Sequence, residues 1–164
     1  MTRFITTFGF VGLLRPAPGT WGSAVAVVLA IAIDYLLGFW VLVAATAGVT
    51  ALGFWACGQE LRDRPGEDPG EIVIDEVAGQ WLALLFPAAA FWNMGLHDWA
   101  LVAYPGWVAA FVFFRLFDIW KPWVIGRADR RGDAAGVMLD DLWAGLFAGI
   151  ATVIAAGVSH GLLM

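Results

Sequence analysis

The chain has 164 residues, room for one domain, and 61% of them are apolar, with a mean hydropathy of +0.79. That exceeds the roughly half found in soluble globular proteins, and ten Trp with twelve Phe suit a membrane protein with aromatic residues at its interfaces. A net charge of −5 argues against nucleic-acid binding, and the single cysteine excludes an intramolecular disulfide framework or a cysteine-based zinc cluster.

The expected fold is all-α: a compact helical membrane bundle of about five spans, forming a single domain over 1–164. Helices are the expected element because backbone polar groups in lipid must be paired within their own segment. Arg15 and two prolines follow Met1 too closely for a cleavable signal, so the spans themselves are expected to direct insertion. Residues 16–23, Pro-Ala-Pro-Gly-Thr-Trp-Gly-Ser, lead into the first span, with Thr20 placed as a helix N-cap. Glycines there let a backbone approach closely, and free N–H groups at a helix start suit a phosphate oxygen, although no Gly-Lys-Ser/Thr makes this a Walker loop.

Residues 22–57 form an apolar run about twice the roughly 17–25 residues one span needs. Asp34 and Gly38 interrupt it, predicting a hairpin of spans 22–37 and 39–57, with Asp34 near the outer turn and Cys57 a small buried side chain. Two Pro-Gly pairs mark 62–71 as a loop. A second hairpin, 77–92 and 99–116, turns through 93–98; Pro122 ends its helix, and 142–163 makes the fifth span. All nine Lys and Arg lie within 1–20, 58–76 and 115–133, so the positive-inside rule puts these stretches in the cytoplasm and leaves the outer turns with acids and one His.

The chemistry-bearing residues lie in or beside those stretches. Asp75-Glu76 and Asp140-Asp141 are paired acids at the expected starts of spans three and five. Acids in a first turn complement the helix dipole, but one suffices; two adjacent acids repel unless a cation neutralises them. Magnesium takes carboxylate oxygens while keeping waters for a phosphate substrate, so the four are candidate metal ligands, with Asp75 and Asp140 also candidate catalytic residues. Arg115, Asp118 and Lys121 recur every third residue and share a helix face. They read either as snorkelling bases with a salt bridge or as a phosphate cradle, with Asp118 as ligand or base. His97 and His160 lie apart and receive no catalytic role.

Four blocks, FGFVGLLRPAPGTWGS, EIVIDEVAG, FRLFDIWKPW and GVMLDDLWAG, together resemble the phosphatidylglycerophosphatase A family of bacterial membrane lipid phosphatases. The resemblance covers nearly the whole chain, with the blocks in the family's order. It departs at Val124, where a second proline is common, and at 132–136, where more glycine is expected. It implies Mg2+-dependent hydrolysis of phosphatidylglycerophosphate to phosphatidylglycerol and inorganic phosphate in the bacterial inner membrane. Matched by position, Asp75, Glu76, Asp140 and Asp141 are the acidic motif residues. Arg115, Asp118 and Lys121 form the basic-acidic segment, and Thr20 with Ser23 stand in the glycine-threonine block. Two rivals are weighed. A CDP-alcohol-type headgroup phosphotransferase would show an aspartate spacing absent here, and a small transporter or non-catalytic subunit would bury charge at mid-span.

Overall fold

A computed structural model of the chain describes residues 1–63, 69–96 and 104–163. Arg64 of the expected loop, the turn residues His97 and Asp98, the start of the fourth run at 99–103 and the side chain of His160 lie outside the described residues. The described residues form helices α1 (Thr2–Thr6), α2 (Pro18–Leu37), α3 (Phe39–Glu60), α4 (Ile74–Asn93), α5 (Tyr104–Trp120), α6 (Val124–Asp129) and α7 (Ala134–Leu163). Two short 3-10 turns, Val11–Leu13 and Leu61–Asp63, join them.

The local chemistry explains the boundaries. Pro18 opens α2, where its missing N–H costs nothing. Gly38, at φ 91, breaks the long apolar run into the hairpin of α2 and α3. Lys121 and Pro122 stop α5. Two expectations need correction. Thr20 is not the N-cap of α2; Ala17 takes that position without a side-chain bond. The last helix begins at Ala134, well before 142, because Asp133 caps it by accepting the Gly136 N–H at 2.7 Å.

Pro18–Leu37, Phe39–Glu60 and Ala134–Ser159 are long and apolar enough to cross a membrane. The other two expected runs are also helical where described; α4 does not join that set, and α5 is described over 17 residues, Tyr104–Trp120. α4 carries Asp75, Glu76 and Gln80 in its first two turns; its buried residues run from Ile74 to Ala88, and α2, α3, α5 and α7 pack around it. A helix shielded by protein can carry polar residues such as Asp75, Glu76 and Gln80.

Contact between α4 and α7 is the most extensive in the bundle. Gly79 backs onto the Asp141 carbonyl, Gly145 lies on the Gly79 backbone, and a Cβ on Gly149 would come within 2.6 Å of Phe86 Cγ. Small residues let helix backbones meet in this way. On the other side of α4, Trp81 Nε1 donates to the Ala26 carbonyl of α2 at 2.8 Å. Large apolar side chains, among them Val28, Leu36, Trp40, Ile119 and Ile154, cover the outside. Phe39, Trp40 and Trp92 cluster at one end, with centroids 5.2–5.6 Å apart, and Trp120 and Trp123 stand exposed towards the other. Aromatic girdles of this kind mark membrane interfaces.

Candidate active site

The tight α4–α7 seam sets two acidic pairs side by side. Asp75 and Glu76 occupy the first turn of α4, and Asp75 Oδ1 accepts the Glu76 N–H at 3.0 Å, so part of the capping role is real. Asp140 and Asp141 lie inside α7, nearly two turns beyond its start. Capping therefore cannot account for them, and both are buried. Because neighbours on a helix point about 100° apart, the pair divides. Asp141 joins Asp75 and Glu76: one carboxylate oxygen from each of the three lies within 4.8 Å of the others. Asp140 stands outside that trio, and its Oδ2 accepts from Lys121 Nζ at 2.8 Å.

The α5 triad converges on the same place. Arg115 Nη1 pairs with Asp118 Oδ2 at 2.6 Å and donates to Ser23 Oγ at 3.4 Å. Ser23 is buried in α2 and donates to the Gly19 carbonyl at 2.8 Å. Lys121 lies just past α5 with a left-handed φ of 48°, and Trp123 at φ 49° flanks it, strained conformations for residues with side chains. Lys121 bridges Asp140 and Asp129. Thr20 is exposed; the expected acids and Lys121 line the cavity beside the trio, whereas Thr20, Ser23 and Arg115 do not.

Three residues escaped the sequence reading. Asp129 carries no motif, and it reaches Lys121 only because α6 folds back. A Cβ on Gly19 would overlap the Glu76 carboxylate and come within 3.3 Å of Arg115 Nη1, so the glycine block admits the acid itself. Gln80, one turn along α4 from Glu76, is fully buried, and its amide has no hydrogen-bond partner among the described residues. Its even spacing from Glu76 was the available signal.

The resulting cavity, about 310 Å³, is lined by six carboxylates (Asp75, Glu76, Asp118, Asp129, Asp140 and Asp141) against one ammonium, Lys121. Burial pushes Asp75 well above the ordinary carboxylate range, and the Glu76 and Asp140 charges add to it. Burial and the Asp141 charge push Glu76 up to about 8, despite a hydrogen bond from Asp75 and the nearby Arg115. For Lys121, burial works downward, but its bonds to Asp129 and Asp140 prevail and raise its pKa. Glu76 Oε2, Asp140 Oδ1 and Asp141 Oδ1 are buried without a hydrogen-bond partner among the described residues. Orphaned carboxylate oxygens in a crowded acidic cavity are the donor set that a hard divalent cation takes.

Fold and cavity together define a helical protein with three helices able to cross a membrane and a carboxylate-rich site at one end of its bundle. The family model described as Phosphatidylglycerophosphatase A matches residues 4–156, and the chain belongs to that family. It is 36% identical to the Phosphatidylglycerophosphatase A of Haemophilus influenzae, over 84% of this chain and 77% of that one. The Escherichia coli protein of the same name is also 36% identical, over 93% and 78%. A Bacteroides thetaiotaomicron relative, provisionally named a phosphatidylinositol-3-phosphatase, is 36% identical over 87% and 85%. No solved structure matches the chain. The chain is an enzyme, a phosphatase of this family.

Proposed function

We propose that this chain hydrolyses phosphatidylglycerophosphate to phosphatidylglycerol and inorganic phosphate, with magnesium, at the cytoplasmic surface of the bacterial inner membrane. The observation that carries the reading is the trio of carboxylate oxygens within 4.8 Å, set beside Arg115 and Lys121 in a phosphatase family. Asp75, Glu76 and Asp141 would hold the ion, which supplies charge shielding for the phosphate and activation of the attacking water. Arg115, steadied by Asp118 and Ser23, and Lys121, steadied by Asp129, present positive charge to the phosphate oxygens. Asp140 Oδ1, without a hydrogen-bond partner, accepts the proton that the attacking water loses. Water oxygen bonds to phosphorus, the phosphorus–glycerol oxygen bond breaks, and the proton taken up by Asp140 passes to the departing glycerol oxygen. The acyl chains stay in the leaflet throughout.

The one-sided Lys and Arg distribution supports five crossings, with 1–20, 58–76 and 115–141 in the cytoplasm. In this reading α4 and α5 form the second hairpin.

Phosphate release from the purified protein in detergent tests the activity. Release from phosphatidylglycerophosphate with magnesium, abolished by a chelator and restored by magnesium, is expected. Phosphatidylinositol 3-phosphate as the better substrate, or no metal requirement, would overturn the proposal. Cysteines introduced at Arg62, Leu96 and Arg130 test the topology in intact cells, with buried Cys57 as a quiet background. Only position 96 should react with an impermeant reagent.

A further inference from the structure

A second cavity, about 470 Å³, opens between the N-terminal segment and residues 69–72. Its charge is opposite to that of the first. Arg3 and Arg15 face it against one carboxylate, Glu71, and neither arginine forms an ion pair with a described residue. Among the described residues the lining carries one excess positive charge, which suits a singly charged anion with no metal. The acid-lined cavity requires a cation before it can accept any phosphate.

The two cavities share a wall residue, Gly70. A Cβ built there would meet nothing within 4 Å, so the space beside it is open. The arginines stand on an ordered frame. The Val73 N–H donates to the Thr6 carbonyl at 2.9 Å, and Thr7 Oγ1 donates to the Arg3 carbonyl at 2.7 Å. Gly12 lies against the Glu71 backbone so closely that a Cβ would come within 3.0 Å of the Glu71 carbonyl carbon. Around this frame Phe4, Phe10, Leu13 and Leu14 are exposed, as suits a segment lying against lipid.

We propose that the Arg3–Arg15 cavity is a second anion site that holds the phosphodiester of the lipid substrate while its terminal phosphomonoester lies among the carboxylates. This rests on the function proposed above, since that substrate carries both groups joined through a glycerol. The glycerol crosses beside Gly70. Guanidinium groups are suited to a phosphodiester because their planar donors can engage two oxygens together. The site selects lipids carrying a second phosphate over those with a single phosphomonoester. It also retains affinity for the product, which keeps the diester.

The test compares wild-type protein with Arg3→Gln/Arg15→Gln and, separately, Gly70→Leu, which fills the open space without altering charge. Hydrolysis of phosphatidylglycerophosphate is followed in detergent with magnesium, and inhibition by phosphatidylglycerol and by inorganic phosphate is measured alongside. The double variant should raise KM and the phosphatidylglycerol inhibition constant by roughly tenfold or more, with kcat within about twofold. Inhibition by inorganic phosphate, which reports the acid-lined site alone, should not move. Gly70→Leu, which narrows the passage between the two cavities, should also raise KM. Unchanged KM and product inhibition in the arginine variant, or an equal loss of phosphate inhibition, would overturn the proposal. If the wild-type protein released no phosphate, the proposed function would fail, yet binding of phosphatidylglycerol in detergent would still test the arginine site. Equal binding by wild type and the double variant would then refute it.

Discussion

Gly79→Ala tests the link between backbone approach and chemistry. A Cβ at this position would lie 2.7 Å from Phe114 Cε2 and 2.8 Å from the Asp141 carbonyl carbon, and closer still to the carbonyl oxygen. Ordinary carbon contacts are about 3.5–4.0 Å, so α4 and α7 must part by about 0.7 Å or more. The obstacle is backbone and cannot rotate away. Overpacking of this kind costs about 1–3 kcal/mol of stability. The larger effect falls on the site, because the trio of oxygens spans the seam: Asp75 and Glu76 ride on α4 and Asp141 on α7. Magnesium demands near-octahedral oxygens at about 2.0–2.1 Å, and a displacement near 1 Å in a catalytic array can cost about 100-fold in rate. We expect kcat/KM to fall about 100-fold, equivalent to about 2.7 kcal/mol, and half-saturation to require more magnesium. Phosphate release across a magnesium titration, paired with thermal unfolding in detergent, measures both. Gly48→Ala, where a Cβ meets nothing within 4 Å, serves as control and should be neutral or slightly stabilising. Wild-type kcat/KM and magnesium dependence in Gly79→Ala would refute the reasoning.

Asp75→Asn and Asp140→Asn should each lower turnover by about 100-fold or more while the protein stays folded, since Asn keeps the shape of the side chain, and the first-turn bond at Asp75, but not the charge; near-normal turnover in both would assign these acids a structural role. Arg115→Lys should lose much of kcat, because one ammonium cannot hold Asp118, Ser23 and a phosphate as a guanidinium fork does, and Lys121→Ala should lose more. Full activity in both would remove the phosphate cradle. In metal-free protein, Glu76 is raised from its ordinary 4.5 to about 8, so the folded state holds more protons than the unfolded between those values. Stability should therefore fall as pH rises through that window, and saturating magnesium should flatten the slope. Thermal unfolding that strengthens with pH in the presence of chelator would contradict this.

Composition and spacing alone determined a good deal of this protein. Apolar runs broken at Gly38, at the 62–71 loop and at Pro122 predicted helices where helices stand, since in lipid no other open element pairs its backbone. The one-sided bases and the ordered blocks pointed to one chemically active end and to Asp75, Glu76, Asp118, Asp140, Asp141, Arg115 and Lys121, with Thr20 and Ser23 beside them. Which acids meet was decided by the tertiary structure. Adjacent carboxylates on one helix look alike in sequence but point about 100° apart, so only the rotation of α7 against α4 sends Asp141 to Asp75 and Glu76 and leaves Asp140 to Lys121. The start of α7 at Ala134 moved Asp140 and Asp141 from an expected helix start to a buried position inside the helix, because Asp133 was the residue that could cap. Asp129 and the glycine contacts at 19, 79 and 145 arise between segments far apart in the chain. Local periodicity reports which way a side chain points on its own helix; what lies opposite depends on how the helices pack.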